Sequence, residues 1–406
     1  MRRCSRCLLP ETHETITFDD EGVCNICRGQ EFRNSEVDWA AKKVELDGLI
    51  ETYRGGADYD CIIPFSGGKD STWTLYYLVK EYGIKPLVVR FDHGFMRPNL
   101  NENVTRVCRK LGVDVLSFTP NWHVVRRLML QSFIDKGDFC WHCHTGIFSY
   151  PMWIALEKKV PLVLWGEPSA EYTAYFSYDQ VEEVNEQRFN RYVNLGITAD
   201  DMFFRLGGEV DRRDLKPYSY PPLSGLLDLG YRSVCLGSYV PWDTQRQSAI
   251  IQEELGWQGD AVENVPEQYG YEKIECYMQG VRDYIKYIKR GYSRPSHLAA
   301  LDIRNGRITR DEAERMIAEY EGLRPPSLDL FLDFVGLTEA EFMEVALSHQ
   351  VSPYSHDPSL TTAGKPTHDL DAWSRAGAMP RSYSLPVLHQ WRGCTDCGGA
   401  EGCTAK

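Results

Sequence analysis

Six residues, Ser66-Gly67-Gly68-Lys69-Asp70-Ser71, close the apolar run Cys61-Ile62-Ile63-Pro64-Phe65 and open a stretch with helical spacing. A strand, a glycine-rich turn and a helix N-terminus in that order aim several backbone N–H groups at one point, with the helix dipole behind them. Gly67 and Gly68 let the main chain come close to phosphate oxygens, Ser66 and Ser71 add hydroxyls, and Lys69 adds positive charge. The Walker A pattern would need Ser or Thr where Asp70 stands and Gly where Ile63 stands. Phosphate binding is therefore expected, and ordinary γ-phosphoryl transfer is not.

The second chemistry is that of thiols. Thirteen cysteines in a chain without an export signal point to metal or catalysis rather than disulfides. Cys4-x-x-Cys7 and Cys24-x-x-Cys27 have the spacing of a structural zinc site, four thiolates arranged tetrahedrally, on a head too short to fold without metal. Cys140-x-x-Cys143, flanked by His142 and His144, falls inside the main domain. A substrate-contact or structural role is expected of the pair ahead of a second metal or iron–sulfur site, and Cys235, in mid-strand, is expected to be packed unless it joins such a site. Cys394, Cys397 and Cys403 lack a fourth ligand, and no function is expected of them.

These residues need elements to position them. "YDCIIPFS", "KPLVVRFD", "VDVLSFT", "PLVLWGE" and "SVCLGSY" read as buried strands, and "STWTLYYLVKEYG", "NLNENVTRVCRKLG" and "NWHVVRRLMLQSFIDKG" as the helices between them. The alternation predicts a doubly wound, mostly parallel α/β domain over residues 58–256, with an insertion at about 168–230. Before it stand a zinc-ribbon-like head, 1–35, and a linker helix, 36–57. After it come a helical region, 257–350, and an irregular tail, 351–406. In such sheets ligands bind outside the carboxyl ends of the strands. Asp92 and His93, Glu167, and Asp243 all stand at such ends, so one acidic rim is expected.

The formal net charge is −13, from 45 basic and 58 acidic residues, which argues against a sequence-blind nucleic-acid binder. No apolar run approaches the roughly 20 residues of a membrane span, and "MRRCSRCLLPE" has no apolar signal segment. A cytoplasmic, soluble protein is expected.

SGGKDS resembles the signature of the PP-loop ATP pyrophosphatases, of adenine-nucleotide alpha hydrolase-like fold. The resemblance implies that the loop holds the leaving pyrophosphate of ATP while a substrate oxygen attacks the α-phosphorus. "CSRCLLPETHETITFDDEGVCNIC", "PFSGGKDSTW", "CWHCHTG", "LWGEPSAEY" and "LGSYVPWD" together resemble the N-acetyl sugar amidotransferases of bacterial surface-polysaccharide biosynthesis, over roughly residues 1–355. That implies conversion of an acetamido group on a nucleotide-linked diacetamido sugar into an acetamidino group. Ammonia would come from a separate glutaminase paired with a cyclase-like subunit. Ser66, Gly67, Gly68, Lys69 and Ser71 would hold pyrophosphate, and Asp70, Asp92, His93 and Asp243 would serve Mg²⁺ or the nucleotide. Glu167 would stand at the reacting centre as a base or ammonia-orienting carboxylate, with Lys69 and Asp70 catalytic beside it. PP-loop thiolating enzymes imply an iron–sulfur cluster at a CxxC placed like Cys140 and Cys143. RNA thiolation or lysidine-type ligation, and a non-catalytic scaffold, are the competing readings.

Overall fold

All five β-branched runs form strands: β1 Cys61–Pro64, β2 Pro86–Phe91, β3 Asp114–Phe118, β4 Leu162–Trp165 and β5 Arg232–Cys235. The computed structural model describes residues 1–367. Every pairing is parallel and the strand order is β3-β2-β1-β4-β5, so the order reverses between β1 and β4. The period-2 alternation of strands divides the core. Ile63, Val88, Leu164 and Val234 face one side, while Ile62, Leu87, Val163, Trp165 and Cys235 face the other. Both faces of the inner strands are covered, so β1, β2 and β4 are buried throughout; β3 lies at an edge and is partly exposed.

The head contains a helix, α1 Asn25–Ser35, which starts at the second cysteine pair with Cys24 as its N-cap. The linker helix is α2 Trp39–Tyr53, N-capped by Asp38, whose carboxylate accepts from the amides of Ala40 and Ala41. α3 Lys69–Tyr82 springs from the glycine-rich turn and ends at Gly83 in the left-handed region. It shares one face of the sheet with α4 Pro98–Leu111 and the helix Thr244–Leu255. After α5 Trp122–Lys136, α6 Trp141–Lys158 covers the other face through Met152, Ile154 and Ala155.

The stretch between β4 and β5 folds into short helical turns laid along α6. The Trp141 indole N–H donates to Asn194 O and Ile197 O at 3.0 and 2.9 Å, and that of Trp153 to Ser219 O at 2.8 Å. Beyond β5 the expected helical region has five helices of nine or more residues, from Gln279–Arg290 to Glu339–Ser348. Residues 257–278, however, are mostly irregular and cross the carboxyl ends of the strands. Phe331, Phe334 and Phe342 pack against Phe133, Phe139 and Val281, fastening this region to α5 and α6. No helix among the described residues is long and apolar enough to cross a membrane.

Candidate active site

The turn between β1 and α3 lies at the topological switch point, beside the turn after β4 that carries Gly166 and Glu167. Gly67 has φ +86, and a Cβ there would stand 2.6 Å from Val104 Cγ2, so glycine is required twice over. The turn is braced from inside. The Ser71 hydroxyl is 3.1 Å from that of Ser66 and accepts from the Gly67 amide at 3.2 Å, while the Gly68 amide donates to Ser66 Oγ at 3.2 Å. From the far side, the Trp257 indole N–H donates to Gly67 O at 2.9 Å and that of Trp242 to Asp70 Oδ1 at 3.3 Å.

Three charged residues that sequence reasoning missed, Glu272, Lys273 and Glu275, come down onto this turn from the crossing segment. Lys69 is 3% exposed and holds both Asp70, at 2.6 Å, and Glu272, at 3.2 Å. Lys273 pairs with Glu167 at 3.0 Å. The Ser66 hydroxyl donates to Glu275 Oε1 at 3.5 Å, and that oxygen lies 1.9 Å from where a Gly68 Cβ would be. The Glu275 carboxylate thus covers the glycines of a turn suited to anions. "YEKIECY" offered alternating charge as its only signal, and nothing local says that it folds back over a loop some two hundred residues earlier.

The charges divide the two carboxylates nearest the turn. Burial, then Glu167, pushes the Asp70 carboxyl up to about 7 against the pull of Lys69. Burial would raise Glu167 as well, but Lys273 and then Lys69 hold it down at about 2. Carboxylates whose environments push them apart in this way mark sites that take a proton or a hard cation. Asp70 and Glu167 suit Mg²⁺, whose charge would let both ionise together.

One cavity of about 1090 Å³ starts at Ser66, Asp70, Ser71 and Glu167 and runs past His93, Cys140 and His144. Tyr172, Tyr175 and Tyr192 of the stretch after β4 line it. Several expected positions need correction. Lys69 is folded under the turn and does not line the cavity; its charge reaches an anion there only through Asp70 and the electrostatic field. Asp92 closes its own turn, its carboxylate accepting from the Gly94 amide at 2.8 Å, while the neighbouring His93 does reach the cavity wall. Asp243 lies outside the cavity. It caps the helix Thr244–Leu255 and pairs with Arg307 at 2.6 Å, because a carboxylate one residue before a helix satisfies its free amides.

The cysteines separate as well. The sulfurs of Cys4, Cys7, Cys24 and Cys27 are buried and all within 4.8 Å of one another, the one such set among the described residues. The Cys24 amide donates to Cys4 Sγ at 3.2 Å and the Cys27 amide to Cys24 Sγ at 3.4 Å, so the sulfurs are oriented as a metal cage requires. This set fits zinc. Cys140 and Cys143 share a hydrophobic cluster with Cys276, whereas Cys235 packs in the cluster between the sheet and α6, 3.9 Å from Arg188 Nη1. The third thiol in the pair's own cluster is therefore Cys276 and not Cys235. Cys394, Cys397 and Cys403 lie outside the described residues.

Fold and site together define a parallel α/β domain with a glycine-rich turn at its switch point, a four-cysteine head that fits a metal, and a helical region closing the cavity. Residues 263–358 match the family described as LPS biosynthesis protein WbpG-like, C-terminal domain. Glu272, Lys273, Glu275 and Cys276 thus come from the WbpG-like part of the chain. The chain is also 30% identical over 115 residues to the uncharacterized protein MJ1599 of Methanocaldococcus jannaschii, covering 28% of this chain and 41% of that one. It is 31% identical over 105 residues to the glutamine-hydrolyzing GMP synthase of Thermus thermophilus, covering 26% of this chain and 20% of that enzyme. The chain spans less than half the length of either relative.

Proposed function

We propose that this protein is an ATP-dependent, AMP-forming amidotransferase that turns an acetamido group of a nucleotide-linked N-acetyl sugar into an acetamidino group for bacterial surface polysaccharide. The observation that carries the reading is the covering of the Ser66–Ser71 turn by a segment of a WbpG-like domain. The similarity to a GMP synthase supports a site that uses ATP to prime an oxygen for displacement by nitrogen.

An amide carbonyl is a poor electrophile, and expelling its oxygen as hydroxide is prohibitive near neutrality. In the proposed reaction the amide oxygen attacks the α-phosphorus of ATP and pyrophosphate leaves. The resulting O-adenylyl imidate accepts ammonia at carbon, a proton is lost, and AMP departs with the former amide oxygen. The Gly67 and Gly68 amides hold the Ser71 and Ser66 hydroxyls in place, and those hydroxyls with the α3 N-terminus would meet the β- and γ-phosphates once the Glu275 carboxylate moves aside. Asp70 and Glu167 would hold Mg²⁺, which neutralises phosphate charge when bound. Held near pKa 2, Glu167 is too weak a base to take a proton from ammonium, and the metal or an ammonia-orienting role suits it better. The ammonia would come from a separate glutaminase partner.

Cys140, Cys143 and Cys276 are the residues that would carry an iron–sulfur cluster, and the amidine chemistry has no step that needs one. Iron content and the absorption spectrum of anaerobically prepared protein decide that point; active, colourless, iron-free enzyme excludes the cluster. The function itself is tested by incubating the protein with ATP, Mg²⁺, an ammonium salt and UDP- or CMP-linked diacetamido sugars. Mass spectrometry should find oxygen replaced by NH, with one AMP and one pyrophosphate per turnover. ADP and orthophosphate as the sole nucleotide-derived products would overturn the reading.

A further inference from the structure

The cavity is bipolar. Its turn end gathers Asp70, Glu167 and Glu275, while the helix Gln279–Arg290 and the start of the next contribute five basic side chains to the opposite end: Arg282, Lys286, Lys289, Arg290 and Arg294. In a chain of net charge −13, a half-buried concentration of cations along one cavity wall calls for an explanation.

Four of the five are fixed by protein partners. Lys289 donates to the carbonyls of Lys136 and Gly137 at 2.8 and 3.0 Å. Arg294 grips Asp283 with two nitrogens at 3.2 Å. Lys286 stands 2.9 Å from His297 Nε2 and 3.4 Å from Glu14, and Arg290 is 3.5 Å from the same carboxylate while donating to Thr12 O. Arg282 is different: its backbone amide donates to Met278 O, but among the described residues its guanidinium forms no hydrogen bond or ion pair. The acids around it are engaged elsewhere, Asp283 by Arg294 and Gln279, and Asp138 by the Cys140 amide at 2.8 Å. Burial also pulls Lys286 below the ordinary lysine range, and Arg282 adds to that effect. A half-buried guanidinium with an open fork, lining the cavity and backed by cations already held in place, is a preorganised receptor for a phosphate group.

The cavity also exceeds the usual span of one small-molecule pocket, about 300–1,000 Å³. The geometry points to a second phosphate subsite, separate from the Ser66–Ser71 turn, in which Arg282, backed by Lys286, binds the phosphate linkage of the nucleotide-activated sugar. This rests on the proposed function and adds to it the placement of the substrate. ATP lies at the acidic end with its metal, the nucleotide of the sugar at the basic end, and the acetamido group between them near Glu167, Cys140 and His144.

Equilibrium binding to the full chain tests this, with Mg²⁺ and a non-hydrolysable ATP analogue saturating the turn and with UDP and CMP as separate probes. The wild type should bind one of the two, which also tells a diphosphate from a monophosphate linkage. Arg282→Ala should weaken that probe by about tenfold or more, with partial recovery in Arg282→Lys and a smaller loss in Lys286→Gln. Zinc content and affinity for the ATP analogue should stay at wild-type values in all three, which also reports that they fold. Probe binding indifferent to Arg282, or an equal loss of ATP-analogue affinity in Arg282→Ala, would overturn the subsite while leaving the amidotransferase reading intact. Wild-type protein that takes the ATP analogue but neither UDP nor CMP would bring down both.

Discussion

Lys69 neutralises Asp70 and Glu272 from beneath the turn, so its removal has two effects. Lys69→Ala leaves buried carboxylates uncompensated, which costs about 3–5 kcal/mol in comparable buried pairs, and it removes positive charge from the phosphate site. Denaturant titration should show that loss of stability and AMP release should cease, with zinc retained in the head; AMP formation at the wild-type rate would contradict the assignment. Asp70 adds a pH dependence. Its folded-state pKa, raised to about 7, exceeds the ordinary carboxylate value, so the folded protein binds a proton that the unfolded chain releases. The stability from this group is complete in acid and falls as the pH rises through 7. Mg²⁺ competes with the same proton, so its affinity should climb between about pH 6 and pH 8 and become flat in Asp70→Asn, as metal titration would show. Glu275 lies where phosphate oxygens would dock, and like charges repel. Glu275→Gln should therefore tighten metal-free pyrophosphate binding severalfold, and unchanged affinity would show that the carboxylate moves aside without cost.

Among the elements, the four-cysteine head is joined to the cavity as well as to the helical region after β5. Its residues His13 and Glu14 line the basic end, Thr12 donates to Arg290 O at 2.6 Å, and Tyr292 donates to Glu14 at 2.5 Å. Arg310 in turn donates to the carbonyl of Ser5 at 2.6 Å. Stripping zinc with a chelator, or replacing Cys4 with Ser, should disorder that wall. Affinity for the nucleotide sugar should fall well before affinity for ATP, because the Ser66–Ser71 turn is braced by Trp242 and Trp257 on other elements. Equal losses of both would show that the head supports the entire fold instead.

For the whole molecule, the net charge of −13 works against binding a polyanion without regard to its sequence. Bulk tRNA should neither be retarded by the protein in a mobility-shift gel nor elicit AMP from ATP, whereas a nucleotide-linked diacetamido sugar should; tRNA-dependent AMP would favour the RNA-modifying alternative. Glu272, Lys273 and Glu275 reach the turn only because the helices after residue 278 pack against α5 and α6.

The strands, the turn and the zinc ligands could be read from the sequence because each is a local pattern. β-Branched runs bury both sheet faces, two glycines and two serines shape one turn, and four cysteines at fixed spacing make one cage. Asp92 and Asp243 were misplaced because a strand-end carboxylate that caps its own turn or helix has the same local sequence as one that points at a ligand. Cys276 in place of Cys235, Glu275 over Gly68, and Arg282 open to the cavity were decided by tertiary structure alone. Those placements depend on how a distant segment packs across the sheet, and side-chain partnerships between residues so far apart in the chain leave no spacing to read.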